Sequence, residues 1–184
     1  LLWLLLGCVV AFCTVSVLVS RHVTIGFDLY FQKLFRQGPQ IFRSLVWQMD
    51  RVISPKHDLI AALTLSALIV TGGAILHVLR SGVRDAVLFS GTTIVSFLLN
   101  LLLKPEFARI RPDRSFGFSY PSDHAMMAFA FFIPIACILA RHFRSRGLRA
   151  VCWAVGVLFT LGVGMSRVVI GRHFMSDIVG GYLL

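Results

Sequence analysis

The sequence predicts an all-α, polytopic membrane protein, on the evidence of its composition and of its repeated apolar runs. Of the 184 residues, 57% are hydrophobic and only 14% are charged, whereas a soluble domain averages about a quarter charged. A transmembrane helix needs about 20 mostly apolar residues. Runs that reach this length, alone or with their uncharged flanks, occupy residues 1–19, 59–79, 86–103, 125–140 and 150–165. A further apolar segment starts at residue 178 and predicts a sixth, truncated helix of the bundle.

The chain is expected to form one membrane-embedded domain over residues 1–184, truncated at both ends. The first run exceeds the apolar core of a signal peptide, which is about 7–15 residues long. Between the first two runs, residues 20–57 are broken at Gly38-Pro39. After this break, apolar residues at helical spacing predict a helix that lies in the membrane interface, with an ordinary packed loop helix as the alternative. These residues are Ile41, Phe42, Leu45, Met49, Val52 and Ile53.

Basic residues in the short connections predict the orientation of the bundle. The loop 141–149 carries four Arg and no acid, and the loop 80–85 carries two more Arg. Such loops favour the cytoplasmic side, which puts segments 104–124 and 166–177 on the extracytoplasmic side. The net charge of +10 is therefore assigned to membrane topology and not to nucleic-acid binding. The four cysteines lie in apolar runs without CxxC spacing, so we expect neither a disulfide framework nor a zinc site.

These two polar segments at the ends of predicted spans carry cations, histidines and a few acids. Charged groups at a membrane boundary are costly unless they are paired or functional. The cations outnumber the acids, which predicts a bound anion, and guanidinium groups match phosphate oxygens in pairs. The candidate residues are Lys104, Arg109, Arg111, Arg114, Ser122, Asp123, His124, Ser166, Arg167, Arg172, His173 and Asp177.

The spacing of His173 and Asp177 predicts a nucleophile and its orienting group. Residues four apart share one face of a helix, and a carboxylate there can hold an imidazole in one tautomer. His173 could then attack phosphorus, and His124 could protonate the departing oxygen. Taken singly, each side chain could be an interfacial anchor. A metal site built from His124, His173, Asp123 and Asp177 is a further alternative, which the cations nearby, such as Lys104, disfavour.

Three motifs in this chain resemble those of the type 2 phosphatidic acid phosphatase superfamily, membrane lipid phosphatases related to vanadium haloperoxidases. The stretch "KPEFARIRP" is similar to the first motif, Lys, six residues, then Arg-Pro. "PSDH" is similar to the second motif, Pro-Ser-Gly-His, with Asp123 in the Gly position. The third motif, Ser-Arg, five residues, His, three residues, Asp, is complete over residues 166–177. The resemblance covers about residues 25–184.

The resemblance implies a role for each motif residue. It makes His173 the nucleophile that forms a phosphohistidine, Asp177 its orienting group, and His124 the acid and later the base that activates water. Phosphate-binding positions would be Lys104, Arg111, Ser122 and Arg167. No metal or other cofactor is implied. Secondary positions are Asp123, Arg114 and Ser166.

Asp123 is the departure from the family pattern, because an extra anion should weaken phosphate binding unless a cation pairs with it. Arg114 is a candidate partner, and a hydrogen bond to His124 is a second possibility. "PSDH" is similar to the variant in bacterial polyprenyl diphosphate phosphatases, which act on undecaprenyl diphosphate at the outer side of the cytoplasmic membrane. Arg109, Arg114 and Arg172 lie beyond the motif cations and are predicted to meet a second phosphate.

The predicted function is therefore a metal-independent membrane lipid phosphatase, with undecaprenyl diphosphate as the first substrate and the lipid bilayer as its setting. Phosphatidylglycerophosphate, phosphatidate and lipid A phosphates stay open as substrates. A lipid phosphotransferase and a non-enzymatic membrane anion binder are the competing classes. The two histidines and Asp177 count against simple binding, because binding an anion needs cations but no nucleophile or acid.

Overall fold

The computed structural model describes residues 2–53, 70, 72–73 and 82–184, and this part of the chain is helical. Within it no strand is present, and the only β-type pairing is an isolated bridge between Ile110 and Phe118. The predicted all-α class is therefore confirmed. The helices are α1 (Leu2–Ser20), α2 (Ile25–Arg36), α3 (Gln40–Ile53), α4 (Val83–Phe107), α5 (Asp123–His142), α6 (Arg146–Val169) and α7 (Met175–Leu183).

Four of these helices, α1, α4, α5 and α6, are long and apolar enough to cross a membrane. They coincide with the first, third, fourth and fifth apolar runs of the sequence. The run at 59–79 lies outside the described residues, apart from positions 70, 72 and 73. The predicted sixth helix is present as α7, which begins at Met175. The protein is an integral membrane protein.

Helices α5 and α6 form the closest pair of the bundle. A Cβ atom on Gly156 would lie only 2.5 Å from the Cβ of Ala136, so these small residues let the two backbones approach, as is common between membrane helices. On the other face of α5, Phe131 packs edge-to-face on Phe89 of α4, with 5.5 Å between the ring centroids. Helix α1 turns large apolar side chains outward, for example Trp3, as suits a lipid-facing surface.

The described part of the connection, residues 20–53, contains two helices joined by a short turn, and we call α2 and α3 together the α2–α3 elbow (residues 25–53). The sequence analysis predicted α3 but missed α2. Val46 of α3 is buried against Val169 and Ile170 at the end of α6. Ile41 and Leu45 point away from the protein. This open apolar face suits a helix in the membrane interface, which stays a prediction.

The two polar segments meet at one end of the bundle. The C-terminal end of α4, the segment 108–122, the C-terminal end of α6 and the start of α7 all lie there. The backbone N–H of Ser122 donates to the carbonyl of Asp177 with an N···O distance of 3.1 Å. Asn100 of α4 donates from Nδ2 to the carbonyl of Pro121 at 3.3 Å. The same end therefore holds the candidate residues of all three motifs.

Candidate active site

His173 lies in a turn between α6 and α7. Helix α6 ends at Val169, and Gly171 adopts a φ of +77°, a conformation that glycine reaches without steric cost. The backbone N–H of His173 then donates to the carbonyl of Arg167 at 3.2 Å. Helix α7 begins only at Met175. The prediction that His173 shares a helix face with Asp177 is wrong, because the glycine turn ends α6 before the histidine.

The imidazole of His173 is fully buried and is held by a backbone carbonyl. Its Nδ1 lies 2.8 Å from the carbonyl oxygen of Ser119, which can only accept, so Nδ1 carries a proton, and in the neutral imidazole the lone pair is then on Nε2. The Asp177 Oδ2 atom is farther from Nδ1, at 3.6 Å. The Nε2 atom makes no hydrogen bond with the described residues and lies 3.5 Å from Oδ1 of Asp123.

Asp177 is fully buried and is paired with groups other than the imidazole. Its Oδ2 atom accepts the backbone N–H of Phe174 at 2.7 Å, which caps the first turn of α7. Its Oδ1 atom accepts from Nη1 of Arg109 at 2.6 Å. A carboxylate at a helix N-terminus is stabilised by the helix dipole as well as by the N–H group. Asp177 therefore fixes the turn that carries His173 and places a negative charge beside its ring.

Arg109 links two buried carboxylates. Its guanidinium donates from Nη2 to Asp28 at 2.6 Å and from Nη1 to Ser176 Oγ at 2.7 Å, in addition to the bond to Asp177. It also lies over the ring of Phe174, 4.2 Å from the centroid. The prediction that Arg109 meets a second phosphate is wrong, because its donors are committed to these partners.

Asp28 of α2 was missed by the sequence analysis. It is fully buried and accepts from the backbone N–H and the Oγ of Ser176 at 2.9 and 2.8 Å, besides Arg109. In the sequence it is the one acid among residues 25–36, far from the motifs. A lone acid in such a segment resembles any solvated residue, so its role becomes visible only when the α2–α3 elbow folds back onto α7.

Asp123 joins the other charged groups of the site. Its carboxylate lies 3.4 Å from Nζ of Lys104, 3.1 Å from Nδ1 of His124 and 3.5 Å from Nε2 of His173. The expected hydrogen bond to His124 is confirmed. The cationic partner is Lys104, and the prediction of Arg114 for this role is wrong. Arg114 is exposed on a turn with φ +55°.

Two motif cations, Lys104 and Arg167, lie in the cluster that holds the two histidines, and a third, Arg111, has a buried donor that no described residue uses. Lys104 is mostly buried at the end of α4, and Arg167 is 1% exposed and close enough to His124 to interact with it electrostatically. The Nε atom of Arg111 is buried and makes no hydrogen bond within the described part of the chain. Such a strongly cationic, partly dry site favours an anion with several oxygen atoms.

The two motif serines are engaged within their own helices. Ser122 is fully buried and is the N-cap of α5, where its Oγ accepts the N–H of Ala125 at 3.4 Å. Ser166 donates from Oγ to the carbonyl of Val163 at 2.6 Å. Ser122 still has a hydroxyl proton that could be donated to a ligand, whereas the proton of Ser166 is already used.

Three of the groups predicted as an alternative metal site do come together. Donor atoms of Asp123, His124 and His173 all lie within 4.8 Å of one another, whereas Asp177 is not part of this group. The carboxylate is, however, already paired with the Lys104 ammonium. A divalent ion would have to compete with that ammonium for its only anionic ligand, so the donor set suits an anion better than a cation.

Tyr120 forms the wall of the site toward α1. Its hydroxyl lies 2.9 Å from Oγ of Ser16, and a Cβ on Gly180 would approach its ring to 2.5 Å. Burial raises the pKa of Tyr120 to about 12. The phenol therefore stays neutral at physiological pH and has a packing role next to Ser119, whose carbonyl holds His173.

These observations define a membrane helical bundle with a cluster of histidines, basic residues and carboxylates at one end. The model of the PAP2 superfamily matches residues 85–184, which is more than half of the chain. The protein belongs to the PAP2 superfamily, as its three motifs predicted.

Comparisons with individual proteins agree. Over 94 residues, the chain is 40% identical to "Phosphatidylglycerophosphatase B" of Bacillus subtilis (strain 168), covering 47% of this chain and 46% of that protein. Over 105 residues, it is 32% identical to "Lipid A 1-phosphatase" of Rhizobium etli, covering 49% of this chain and 41% of that protein. The chain thus spans less than half the length of these curated relatives.

A solved structure matches nearly the whole chain. The crystal structure of a transmembrane PAP2 type phosphatidylglycerolphosphate phosphatase from Bacillus subtilis aligns with a TM-score of 0.77, covering 97% of this chain and 89% of that chain. The sequence identity is 20%. At this level of identity the likeness establishes the fold.

Proposed function

We propose that this protein is a metal-independent membrane lipid phosphatase that works through a phosphohistidine. The observation that carries the proposal is the state of His173. Its Nδ1–H is held by the Ser119 carbonyl, and its Nε2 lies 3.5 Å from Oδ1 of Asp123, which also contacts His124. A buried imidazole with one nitrogen fixed and the other able to attack is the arrangement that nucleophilic catalysis needs.

In the first step, Nε2 of His173 attacks phosphorus and the bond from phosphorus to the leaving oxygen breaks. His124 gives its proton to that oxygen. Asp123 contacts Nδ1 of His124, so the proposal assigns proton transfer to Nε2. Lys104, Arg111 and Arg167 stabilise the charge on the phosphoryl oxygens, which is the largest single contribution in many enzymes.

In the second step, water attacks the phosphohistidine and the P–N bond breaks. His124, now neutral, takes a proton from this water and returns to its starting state. The imidazolium of His173 is stabilised by the nearby Asp177 carboxylate while the intermediate exists. Replacement of water by a lipid hydroxyl would make the protein a phosphotransferase, which differs only in the acceptor.

We propose undecaprenyl diphosphate as the first substrate. This proposal rests on "PSDH" and on the resemblance of that variant to polyprenyl diphosphate phosphatases. Phosphatidylglycerophosphate is the second candidate, because the name of the Bacillus subtilis relative points to it. The Rhizobium etli relative makes a lipid A phosphate a third. All three keep their tail in the bilayer while the phosphate reaches the end of the bundle.

The proposed setting is the bacterial cytoplasmic membrane, with the site on the extracytoplasmic side. Support comes from the basic loop between α5 and α6, at the end of the bundle opposite to His173. Arg141 beside this loop pairs with Asp85 at the start of α4, with 3.0 Å between the charged atoms. The remaining arginines of the loop leave that end strongly positive, as cytoplasmic ends are.

The test is phosphate release by the purified full-length protein from undecaprenyl diphosphate, phosphatidylglycerophosphate, phosphatidate and a lipid A phosphate in mixed micelles. We expect release from at least one lipid, with undecaprenyl diphosphate preferred by kcat/KM. Analysis of the lipid products distinguishes a hydrolase from a phosphotransferase. Absence of phosphate release from every lipid would overturn the proposed function, and preference for phosphatidylglycerophosphate would overturn only the substrate.

A further inference from the structure

An open cavity of about 640 Å³, with both polar and apolar lining residues, lies between the α2–α3 elbow and the end of α6. On one wall are Arg36, the last residue of α2, and Arg43 and Trp47 of α3. On the opposite wall are Ile170 and Gly171 of the turn after α6. Ligand pockets in proteins span about 300–1,000 Å³, so the cavity has room for part of a lipid headgroup.

The charged groups of the cavity favour an anion. Arg36 and Arg43 face a single acid, Asp113, so the described lining has one positive charge in excess. Asp113 also accepts two hydrogen bonds at Oδ1, from the backbone N–H and the Oγ of Ser115, at 3.0 and 2.7 Å. The Nε atom of Arg43 is buried and makes no hydrogen bond to any described residue. A buried donor of this kind is costly unless a ligand accepts from it.

The cavity borders the turn that leads from α6 to His173. Gly171 lies two residues before His173, and Asp113 lies two residues after Arg111. The elbow is held against this turn by Val46, which packs on Val169 and Ile170. A lipid whose terminal phosphate reaches His173 therefore has a neighbouring, positively lined space for the next group of its headgroup.

We infer that this cavity binds the second phosphate of the lipid, the one that stays on the product. The inference rests on the proposed function and deepens it, since it names the substrate class as lipids with two phosphate groups. Arg36 and Arg43 donate to the oxygens of that phosphate, and the amide side chain of Gln40 is at hand in the same wall. The sequence analysis predicted that Arg109, Arg114 and Arg172 meet the second phosphate. The inference assigns this contact to the arginines of the α2–α3 elbow instead.

A consequence is discrimination against phosphatidate. Undecaprenyl diphosphate and phosphatidylglycerophosphate each carry a second phosphate, whereas phosphatidate has one and leaves the two arginines of the elbow without an anion. Hydrogen bonds from charged donors are stronger than those between neutral groups. In the diphosphate the second phosphate carries the leaving oxygen, so the two arginines should stabilise the developing charge as well as the bound lipid. The preference should therefore appear in kcat/KM and in direct binding.

The experiment compares the wild type with Arg36→Gln/Arg43→Gln on undecaprenyl diphosphate and on phosphatidate. We expect kcat/KM for the diphosphate to fall at least about tenfold in the double variant, with kcat/KM for phosphatidate unchanged. Arg21→Gln is the matched control, since Arg21 is exposed and outside the cavity. Arg43→Lys keeps the charge and should retain most of the affinity, which separates binding from a folding defect.

Equal changes of kcat/KM for both lipids, or no change for either, would overturn the inference. An increased inhibition constant for inorganic phosphate with both kcat/KM values unchanged would also overturn it, by showing that the cavity binds the free anion. Direct binding makes the test independent of turnover. In the His173→Ala protein, the elbow substitutions should weaken binding of undecaprenyl diphosphate about tenfold or more. Unchanged binding of undecaprenyl diphosphate in these variants would refute the cavity assignment, even if the wild-type protein hydrolyses no lipid.

Discussion

One guanidinium group, that of Arg109, joins Asp28 to Asp177, with 2.6 Å to an oxygen of each carboxylate. Both acids are fully buried, and they belong to α2 and α7. This bridge attaches the α2–α3 elbow to α7, the helix that follows the turn carrying His173. The same residue also holds Ser119, whose N–H donates to the Arg109 carbonyl at 2.8 Å, and the Ser119 carbonyl in turn fixes His173.

The first prediction concerns this bridge. Arg109→Ala leaves two buried carboxylates without their cation, and breaking a buried charge pair costs about 3–5 kcal/mol. We expect a clear fall in thermal stability in detergent and loss of most activity. Arg21→Ala serves as the control and should leave both unchanged. Wild-type stability of Arg109→Ala would contradict the bridge.

The second prediction concerns the histidines. His173→Ala should abolish turnover, because the nucleophile and the covalent intermediate disappear. His124→Ala should slow both the formation and the breakdown of the phosphoenzyme by about 10²–10⁴-fold, the usual contribution of general acid–base catalysis. Rapid-quench kinetics on a labelled lipid phosphate measures both steps. His142→Ala, at the opposite end of α5, is the control, and near-wild-type turnover in His173→Ala would refute the mechanism.

The third prediction concerns metal ions. If Lys104, Arg111 and Arg167 provide the positive charge, phosphate release should continue in EDTA. Vanadate should inhibit, because its five-coordinate form resembles the transition state and such analogues bind about 10²–10⁸-fold tighter than substrates. Activity lost in EDTA and restored by Mg²⁺ or Zn²⁺ would instead support a metal held by Asp123, His124 and His173.

The fourth prediction concerns Asp123. Asp123→Gly restores the family pattern and removes the carboxylate that occupies Lys104. We expect KM to fall roughly twofold to fivefold, since a partly exposed ion pair contributes at most about 1 kcal/mol. The kcat value should also fall, because His124 loses its hydrogen-bond partner. Asp123→Asn keeps a hydrogen-bonding group without the charge and should lower KM while retaining more kcat; a raised KM in both variants would show that the carboxylate assists binding.

The fifth prediction concerns topology. In a variant without Cys8, Cys13, Cys137 and Cys152, a cysteine placed in the loop 141–149 should resist an impermeant thiol reagent in intact cells. A cysteine at Phe116, which is fully exposed in the segment between α4 and α5, should react. The reverse pattern would place His173 in the cytoplasm and would exclude a role in extracytoplasmic lipid recycling.

Several features could be predicted from the sequence because they depend on local patterns. The length of an apolar run decides whether it can cross a membrane, so α1, α4, α5 and α6 were found where the runs lie. The motif spacings depend on neighbouring residues in one segment, which is why the superfamily and the candidate residues His173, His124 and Lys104 could be named. Helix α3 was likewise visible from its periodic apolar residues.

Other features depend on contacts between segments far apart in the chain, and these only the tertiary structure decided. Asp28 reaches Arg109 because the elbow folds back on α7, and no local pattern in the sequence of α2 predicts this ion pair. The turn at Gly171 removes His173 from the helix that carries Asp177, so a carbonyl from the distant Ser119 orients the ring. Asp123 pairs with Lys104 and not with Arg114 because the ends of α4 and α5 pack together. A buried charged side chain in a membrane protein pairs with the oppositely charged side chain that the folded bundle places next to it. The order of residues along the chain does not specify which side chain this will be.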